Sequence, residues 1–246
     1  MADLIITVGQ VKPHYLAGYS GGAKSILPAV ASKFSIASNH FMRAHPGAAL
    51  AVADKNPVRA DMEEAARLAG QVFLLNCVLD GYGKPHGFFA GDIVQAHREA
   101  ACAALDVGGV KASAADVIVV TSQPPVSASV YQFTKAVAPA ARVVMQGGII
   151  IAVGSCSEGV GDRFIINEII YKLGFRHRIP RGVDIYLVSD LKDREVDTTF
   201  FRPVGSLQAG LDLAARRFKR KFSVNFLQEA GLLVPYLEGE NPSDWI

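Results

Sequence analysis

The chain has 246 residues, half of them hydrophobic and 20% charged, with a formal net charge of +2. That balance supports one large or two small packed domains, excludes global disorder, and is too weakly basic to argue for nucleic acid. The three cysteines, Cys77, Cys102 and Cys156, form no CxxC and point to a reducing compartment rather than a disulfide framework. Asp3 and Gly9 bracket an apolar run of about five residues, too short for a signal peptide, and no stretch approaches the roughly 18 apolar residues of a membrane span. A cytoplasmic protein is the expectation.

In chain order, Leu4 to Val8 reads as a buried strand closed by Gly9. A loop rich in small residues follows, from Lys12 to Ser25, and Lys24 to Ala31 reads as a helix start interrupted near Pro28. Ser35 to Met42 is a short helix carrying His40. Asn56-Pro57 is a helix start, Asn as N-cap and Pro at the first helical position, and the helix runs Val58 to Ala69 before Gly70 stops it. Val72 to Leu79 is a strand, Asp80 to Pro85 a turn, Gly87 to Ala90 a returning strand and Asp92 to Leu105 a helix. Asp106 to Ser113 is the expected boundary between two halves, 1–105 and 106–246.

The second half opens with the strand Asp116–Val120 and a Pro-Pro loop. A helix from about Ser129 to Val137, strands Val143–Met145 and Ile149–Val153, and a Gly-rich loop at Gly154–Gly161 come next. A helix over Asp162–Leu173, a strand over Asp184–Val188 and a helix over Gly205–Phe218 complete the pattern. Strand–loop–helix repeated through both halves predicts an α/β fold: two lobes with mainly parallel sheets.

The chemistry concentrates in the loops that follow strands, where open α/β sheets bind ligands. Gly18 to Ser25 approaches a phosphate-binding P-loop, but Ala23 precedes Lys24 and Gly18 lies only six positions before it, so the frame fails. Lys24 is therefore a phosphate contact, a reactive amine, or part of a structural turn. His14 and Ser20 beside it, and His40 sixteen positions beyond, make the turn richer than structure alone needs. His45 and His86 flank prolines and read as turn residues; His97 and His177 read as surface helix positions. Tyr131, Gln132 and Lys135 share one helix face and could bind a carboxylate, or form an exposed polar face. Cys156 has no basic neighbour and does not read as a nucleophile. The run Arg216–Lys221 reads as a solvated helix end.

The segment Pro13-His14-Tyr15-Leu16-Ala17-Gly18-Tyr19-Ser20-Gly21-Gly22-Ala23-Lys24-Ser25-Ile26-Leu27-Pro28 with Asn39-His40 resembles the nickel-pincer lactate racemase family. So do Asn56-Pro57 with Asp61 and Glu64, the Tyr131-Gln132-(x)2-Lys135 set, and Ser157-Glu158-Gly159-x-Gly161. The resemblance implies a two-domain α/β fold with the active site between domains and a racemase or epimerase of 2-hydroxy acids. It implies a nickel-pincer nucleotide (pyridinium-3,5-bisthiocarboxylic acid mononucleotide nickel) attached covalently at Lys24, with Ser20 in the cofactor loop. His40 is then the protein ligand to nickel, His14 an acid/base, and Tyr131, Gln132 and Lys135 the substrate-holding set. The implied partners are a small 2-hydroxy acid and cofactor-biosynthesis enzymes. In the family, a second acid/base histidine and much of the cofactor phosphate site lie in a region before the segment that Met1 begins here, so the expectation is a fragment inactive alone, a misplaced start, half of a split enzyme with a separate N-terminal half as partner, or a divergent member. The other readings are a non-catalytic metabolite- or nucleotide-binding protein and a Schiff-base lysine enzyme.

Overall fold

The computed structural model describes residues 2–246; Met1, the first residue of the expected first half, lies outside the described residues. The chain divides into two compact units, one running to Val110 and joined by Glu240–Ile246, the other spanning Lys111–Gly239.

The first unit is built on a three-stranded sheet of β1 (Ile5–Gln10), β4 (Val72–Leu79) and β5 (Pro85–Asp92) in the order β1-β4-β5. β1 and β4 run parallel, β4 and β5 antiparallel. A two-residue hairpin, β2 (Pro13–His14) against β3 (Gly18–Tyr19), follows β1. Helices α1 (Lys33–Phe41), α2 (Pro57–Leu68) and α3 (Gln95–Gly108) complete the unit. Asn56 caps α2 by accepting from the N–H groups of Val58 and Arg59, with Pro57 in the first turn where its missing N–H costs nothing. Leu16, Leu27, Val58, Met62, Leu74 and Ile93 form the apolar core.

Three expectations change here. Lys24–Ala31 is not a helix: a 3-10 turn over Gly22–Ser25 gives way to turns, because Pro28 offers no N–H to continue it. Helix α3 runs past its expected end at Leu105 to Gly108, and the division between Val110 and Lys111 falls within the expected boundary segment, 106–113. Most telling, β1 is not a buried strand. Ile6 is 60% exposed and Val8 71%, while Thr7, pointing the other way, is buried. The register sets Ile6 beside Phe73, Val8 beside Leu75, Leu75 beside Ala90 and Cys77 beside Phe88. Side chains alternate faces along a strand, so Ile6, Val8, Phe73, Leu75 and Phe88 share one uncovered apolar face.

From α3 the chain passes through β6 (Gly109–Lys111) into the second unit. Its five-stranded sheet has the order β10-β9-β8-β7-β11 and is parallel throughout. The strands are β7 (Ala115–Thr121), β8 (Val144–Val153), β9 (Asp184–Val188), β10 (Arg202–Pro203) and β11 (Val224–Leu227). Connections are α4 (Val130–Val143), a π-helical stretch over Ile165–Phe175, the short α5 (Asp193–Val196) and α6 (Leu207–Phe218). A last short strand, β12 (Val234–Tyr236), follows β11. The two strands expected at Val143–Met145 and Ile149–Val153 are one, irregular where Gly147 takes a positive φ of 73°. β7 and the stretch 148–152 of β8 are buried, as apolar runs in parallel sheets must be. No helix among the described residues is long and apolar enough to cross a membrane.

Asp116 ties the start of β7 to the segment before β11: it accepts from Arg220 Nη2 at 2.6 Å and from Ser223 N at 2.9 Å. The Arg220 bond and the Ser223 N–H hold its pKa down at about 2, against burial. The lowered value means that the contribution is complete above the usual carboxylate range and is lost as pH falls towards 2. Asp116→Asn is expected to cost about 1–2 kcal/mol at pH 7, since the cation is exposed and screened. Urea melts of both proteins should converge between about pH 4 and pH 2.

Candidate functional site

The loop after β1 is closed at its base by Ser20, whose hydroxyl donates to the Gln10 carbonyl at 2.8 Å and accepts from Lys12 N at 3.0 Å. Both bonds serve the loop itself. His14 sits in the hairpin, half-buried, its ring stacked on Tyr15 with centroids 4.9 Å apart. Its Nδ1 accepts from the N–H groups of Leu16 at 3.2 Å and Ala17 at 3.1 Å. Those bonds assign the ring proton to Nε2, which lies 3.4 Å from Lys24 Nζ. Ten residues of chain thus close into one contact between ring and amine.

Lys24 is carried by the 3-10 turn Gly22–Ser25, entered through Gly21 and Gly22 at φ of 69° and 60°. Side chains there are excluded: a Cβ on Gly22 would lie 2.6 Å from the His97 ring, and one on Gly21 2.6 Å from Asn76 Oδ1. Asn76 Oδ1 accepts from Gly22 N at 2.8 Å. The turn is therefore seated against the end of β4 and the face of α3.

His40 lies in the last turn of α1. The neighbouring Asn39 fixes that helix to α2, donating to the Val58 carbonyl at 3.0 Å and to Asp61 at 2.8 Å. The His40 pKa is lowered to about 4, by burial first and then by the positive charges of Arg43 and Lys24. Its buried Nδ1 has no partner within normal hydrogen-bond geometry; the Ile36 carbonyl one turn back only partly offsets the shift. A neutral, half-buried imidazole with an unused nitrogen fits a metal ligand. Among the described residues no group of three or more His, Cys, Asp or Glu side chains could hold a metal. The donor set therefore fits a metal whose remaining ligands arrive with a cofactor, and not a cage made by protein alone.

In the second unit the strand order reverses between β7 and β11, since β8 and β9 step to one side of β7 and the chain then returns to its other side. The loop leaving β7 at this switch point leads to α4, whose start Ser129 caps by accepting from Gln132 N. Lys135 Nζ donates to Gln132 Oε1, so the amide and the cation act as one unit. Tyr131 lies alongside, its Cβ against Gly161, where a side chain would clash at 2.8 Å. The loop after β8 is laced onto this helix start: Val130 N donates to Gly159 O at 3.1 Å, Tyr131 N to Val160 O at 3.0 Å, and Glu158 N to Ala128 O at 2.7 Å. A lysine beside a helix N-terminus favours an anion such as a carboxylate. Cys156 in that loop is buried, with its pKa raised to about 11 by burial and then by Asp190, which leaves it a protonated thiol.

Of the residues singled out by sequence, the structure brings His14 and Lys24 into contact and groups Tyr131, Gln132 and Lys135. His45 and His86 are exposed, and His45 Nδ1 accepts from Gly47 N within its own turn. His177 is exposed in a turn. His97 is not a surface residue: it is fully buried, with Nε2 2.9 Å from the Ser20 carbonyl. Its helix carries Ala100, Ala101 and Ala104 at helical spacing from it, and that stripe of small residues is the signal that places it inward. Arg59 drew no notice in the sequence, yet it is fully buried beneath the loop.

Residues 1–51 match the lactate racemase N-terminal domain and residues 110–178 the lactate racemase C-terminal domain. The chain is 35% identical over 164 residues to the lactate racemase of Thermoanaerobacterium thermosaccharolyticum and 36% identical over 164 residues to that of Lactiplantibacillus plantarum. Each alignment covers 65% of this chain and 38% of the relative, so the chain matches well under half the length of these curated relatives. The structure of the T. thermosaccharolyticum apoprotein superposes with a TM-score of 0.85 at 27% identity, over 96% of this chain and 63% of that one. A Thermotoga maritima protein superposes with a TM-score of 0.69 at 15% identity, over 96% of this chain and 67% of that one, and shares the fold. With two racemase domains matched in sequence and nearly its whole length superposed on a racemase, the chain belongs to the lactate racemase family.

Proposed function

We propose that this chain carries the cofactor anchor and the substrate-carboxylate set of a lactate-type 2-hydroxyacid racemase or epimerase. The observation that carries this reading is the contact between His14 Nε2 and Lys24 Nζ at 3.4 Å, which sets an acid/base group beside the anchor amine. Lys24 is the attachment point and His40 the protein ligand to nickel, as its neutral ring and unused nitrogen allow. When bound, the nickel-pincer nucleotide supplies a hydride acceptor for the substrate C2. His14 takes the hydroxyl proton at Nε2 and returns it, which requires the ring's own proton to move first to Nδ1 as the Leu16 and Ala17 N–H bonds are given up. Lys135, oriented by Gln132, pairs with the carboxylate, and Tyr131 fixes the substrate beside it. Ser20 contributes by closing the loop, and enzymes that build the nucleotide are the partners that load it, in the cytoplasm.

Racemisation through a planar intermediate needs a proton acceptor on each face. Within the first unit no second histidine stands ready: His45 is exposed in a bend, His86 is exposed on β5 rather than in the expected turn, and His97 is committed to the Ser20 carbonyl. On this reading the second base comes with the part of the racemase chains left unmatched here, on this polypeptide or on a separate one. The uncovered face of Ile6, Val8, Phe73, Leu75 and Phe88 is its seat, and the open edge of β1 offers it a strand partner. Without that part, ligand binding without turnover is the expected behaviour.

Co-expression with cofactor-making enzymes and with the unmatched portion of the T. thermosaccharolyticum racemase should give a mass adduct on Lys24 and about one nickel per chain. Lys24→Ala should lose both; His40→Ala should keep the adduct and lose most of the nickel. An intact assembly with neither adduct nor nickel would sink the reading. Val8→Asp, which puts a charge on the exposed sheet face, should abolish co-purification of the two polypeptides, whereas Asp80→Asn in the β4–β5 turn should not. In the loaded assembly, Lys135→Met should raise KM for lactate by about tenfold or more.

A further inference from the structure

We infer that Arg59 and His97 are positioning residues of the anchor loop: together they draw the carbonyls of Ala17, Tyr19, Ser20 and Gly21 inward, so that His14 and Lys24 meet at its two ends. Arg59 donates through Nε to Ala17 O at 3.2 Å, through Nη2 to Ala17 O at 3.1 Å and to Tyr19 O, and through Nη1 to Gly21 O at 3.3 Å. His97 reaches the carbonyl between them, Ser20 O, at 2.9 Å. From Ala17 to Gly22 the chain has only the two-residue ladder of β3 with β2, and Gly18, Gly21 and Gly22 hold positive φ. Its shape is set by which way its peptides face. Four consecutive or near-consecutive carbonyls facing a dry interior are costly unless each finds a donor.

The donors are themselves fixed. His97 must donate from Nε2, so its Nδ1 must accept, and Arg98 Nη1 stands 3.5 Å from Nδ1. Arg98 is in turn paired with Glu63 at 2.8 Å, which also offsets the buried charge of Arg59. Burial, then the Arg59 charge, holds the His97 pKa well below its usual value, in keeping with a neutral ring that donates from one nitrogen only. The ring lies so close to Gly22 that any side chain there would overlap it. One network thus runs from Glu63 through Arg98 and His97 to the peptide that precedes the lysine turn, and a second from Arg59 to the peptides on either side.

The role in catalysis rests on the racemase reading; the effect on loop geometry does not, and the two are measured apart. In cofactor-free protein labelled with 15N-histidine, the His14 ring, assigned with His14→Gln, should report a single Nε2-protonated tautomer. His97→Ala should lose that single-tautomer signature, and Arg59→Lys, which keeps the charge but not the fork, should lose it too. His97→Gln, whose amide can still donate to Ser20 O, should keep it. In the loading experiment the first two variants should form the Lys24 adduct at least about tenfold more slowly, and His97→Gln within about twofold of the parent. A folded His97→Ala protein with the His14 signature unchanged overturns the inference, and so does a His97→Gln protein that behaves like His97→Ala. Should His97→Ala fail to fold, His97→Asn, too short to reach Ser20, makes the same comparison. A parent assembly that fails to load, with the His14 signal changing in the variants as stated, counts against the racemase reading and leaves this inference standing.

Discussion

The first unit depends on a charge in an unfavourable place. Arg59 is completely buried, and burial lowers its pKa to about 9 although Glu63 pulls the other way. A guanidinium withdrawn from water is destabilising unless its N–H groups are used. Here they are used on the carbonyls of a loop that, being glycine-rich, has no preferred shape. The two costs cancel against each other: the loop supplies acceptors that the cation needs, and the cation supplies donors that the carbonyls need. A lysine could not do this, since its ammonium is a point charge and cannot fork across peptides on both sides. The same helix turn that carries Arg59 is opened by Asn56, whose Nδ2 donates to Leu16 O at 2.9 Å. Cap and clamp therefore grip the same loop from the start of one helix.

Much of this was legible in the sequence where local chemistry governs. Asn56-Pro57 declared a helix start, and Val72–Leu79 and Asp184–Val188 declared strands, because caps and apolar runs act over a few residues. The contact of His14 with Lys24 was foreseen only as a grouping; the bonds from Leu16 and Ala17 N–H that set the ring tautomer depend on the hairpin, which is too short to announce itself. His97 was misread because a histidine among charged neighbours resembles a surface residue, and the alanine stripe beside it is a weak signal. Arg59 was invisible for a deeper reason. A buried arginine and an exposed one look alike in a helix until the acceptors are known, and those acceptors lie some forty residues earlier.

The second unit shows a different route to the same end. Its sheet is parallel throughout, and the chain's return to the far side of β7 leaves a helix start and two loops at one edge. No buried cation is needed to shape them, because backbone bonds from Val130 and Tyr131 to Gly159 and Val160 do so directly. The Gln132–Lys135 pair then stands on a regular helix, where spacing alone had placed it. The first unit positions chemistry with side chains, the second with backbone. That difference predicts where substitutions are tolerated: side chains that only frame the Lys135 helix start can change identity, whereas beneath Lys24 a replacement must keep the hydrogen-bond donor.

The sheet of the first unit carries the last step. Its inner face packs Leu74 and Val78 into the core and sets Asn76 under the lysine turn. Its outer face is as apolar as the inner one, and β1 pairs on one side only among the described residues. Folded proteins usually blunt such edges with charge, proline or a bulge, and none of these occurs on the exposed side of β1, where Ile6 and Val8 alternate with inward Thr7. A surface kept this apolar, directly behind the strand from which the anchor loop springs, is the pattern of a face meant to be covered. Because the loop that carries His14 and Lys24 leaves directly from β1, whatever covers that face also bears on the loop they occupy.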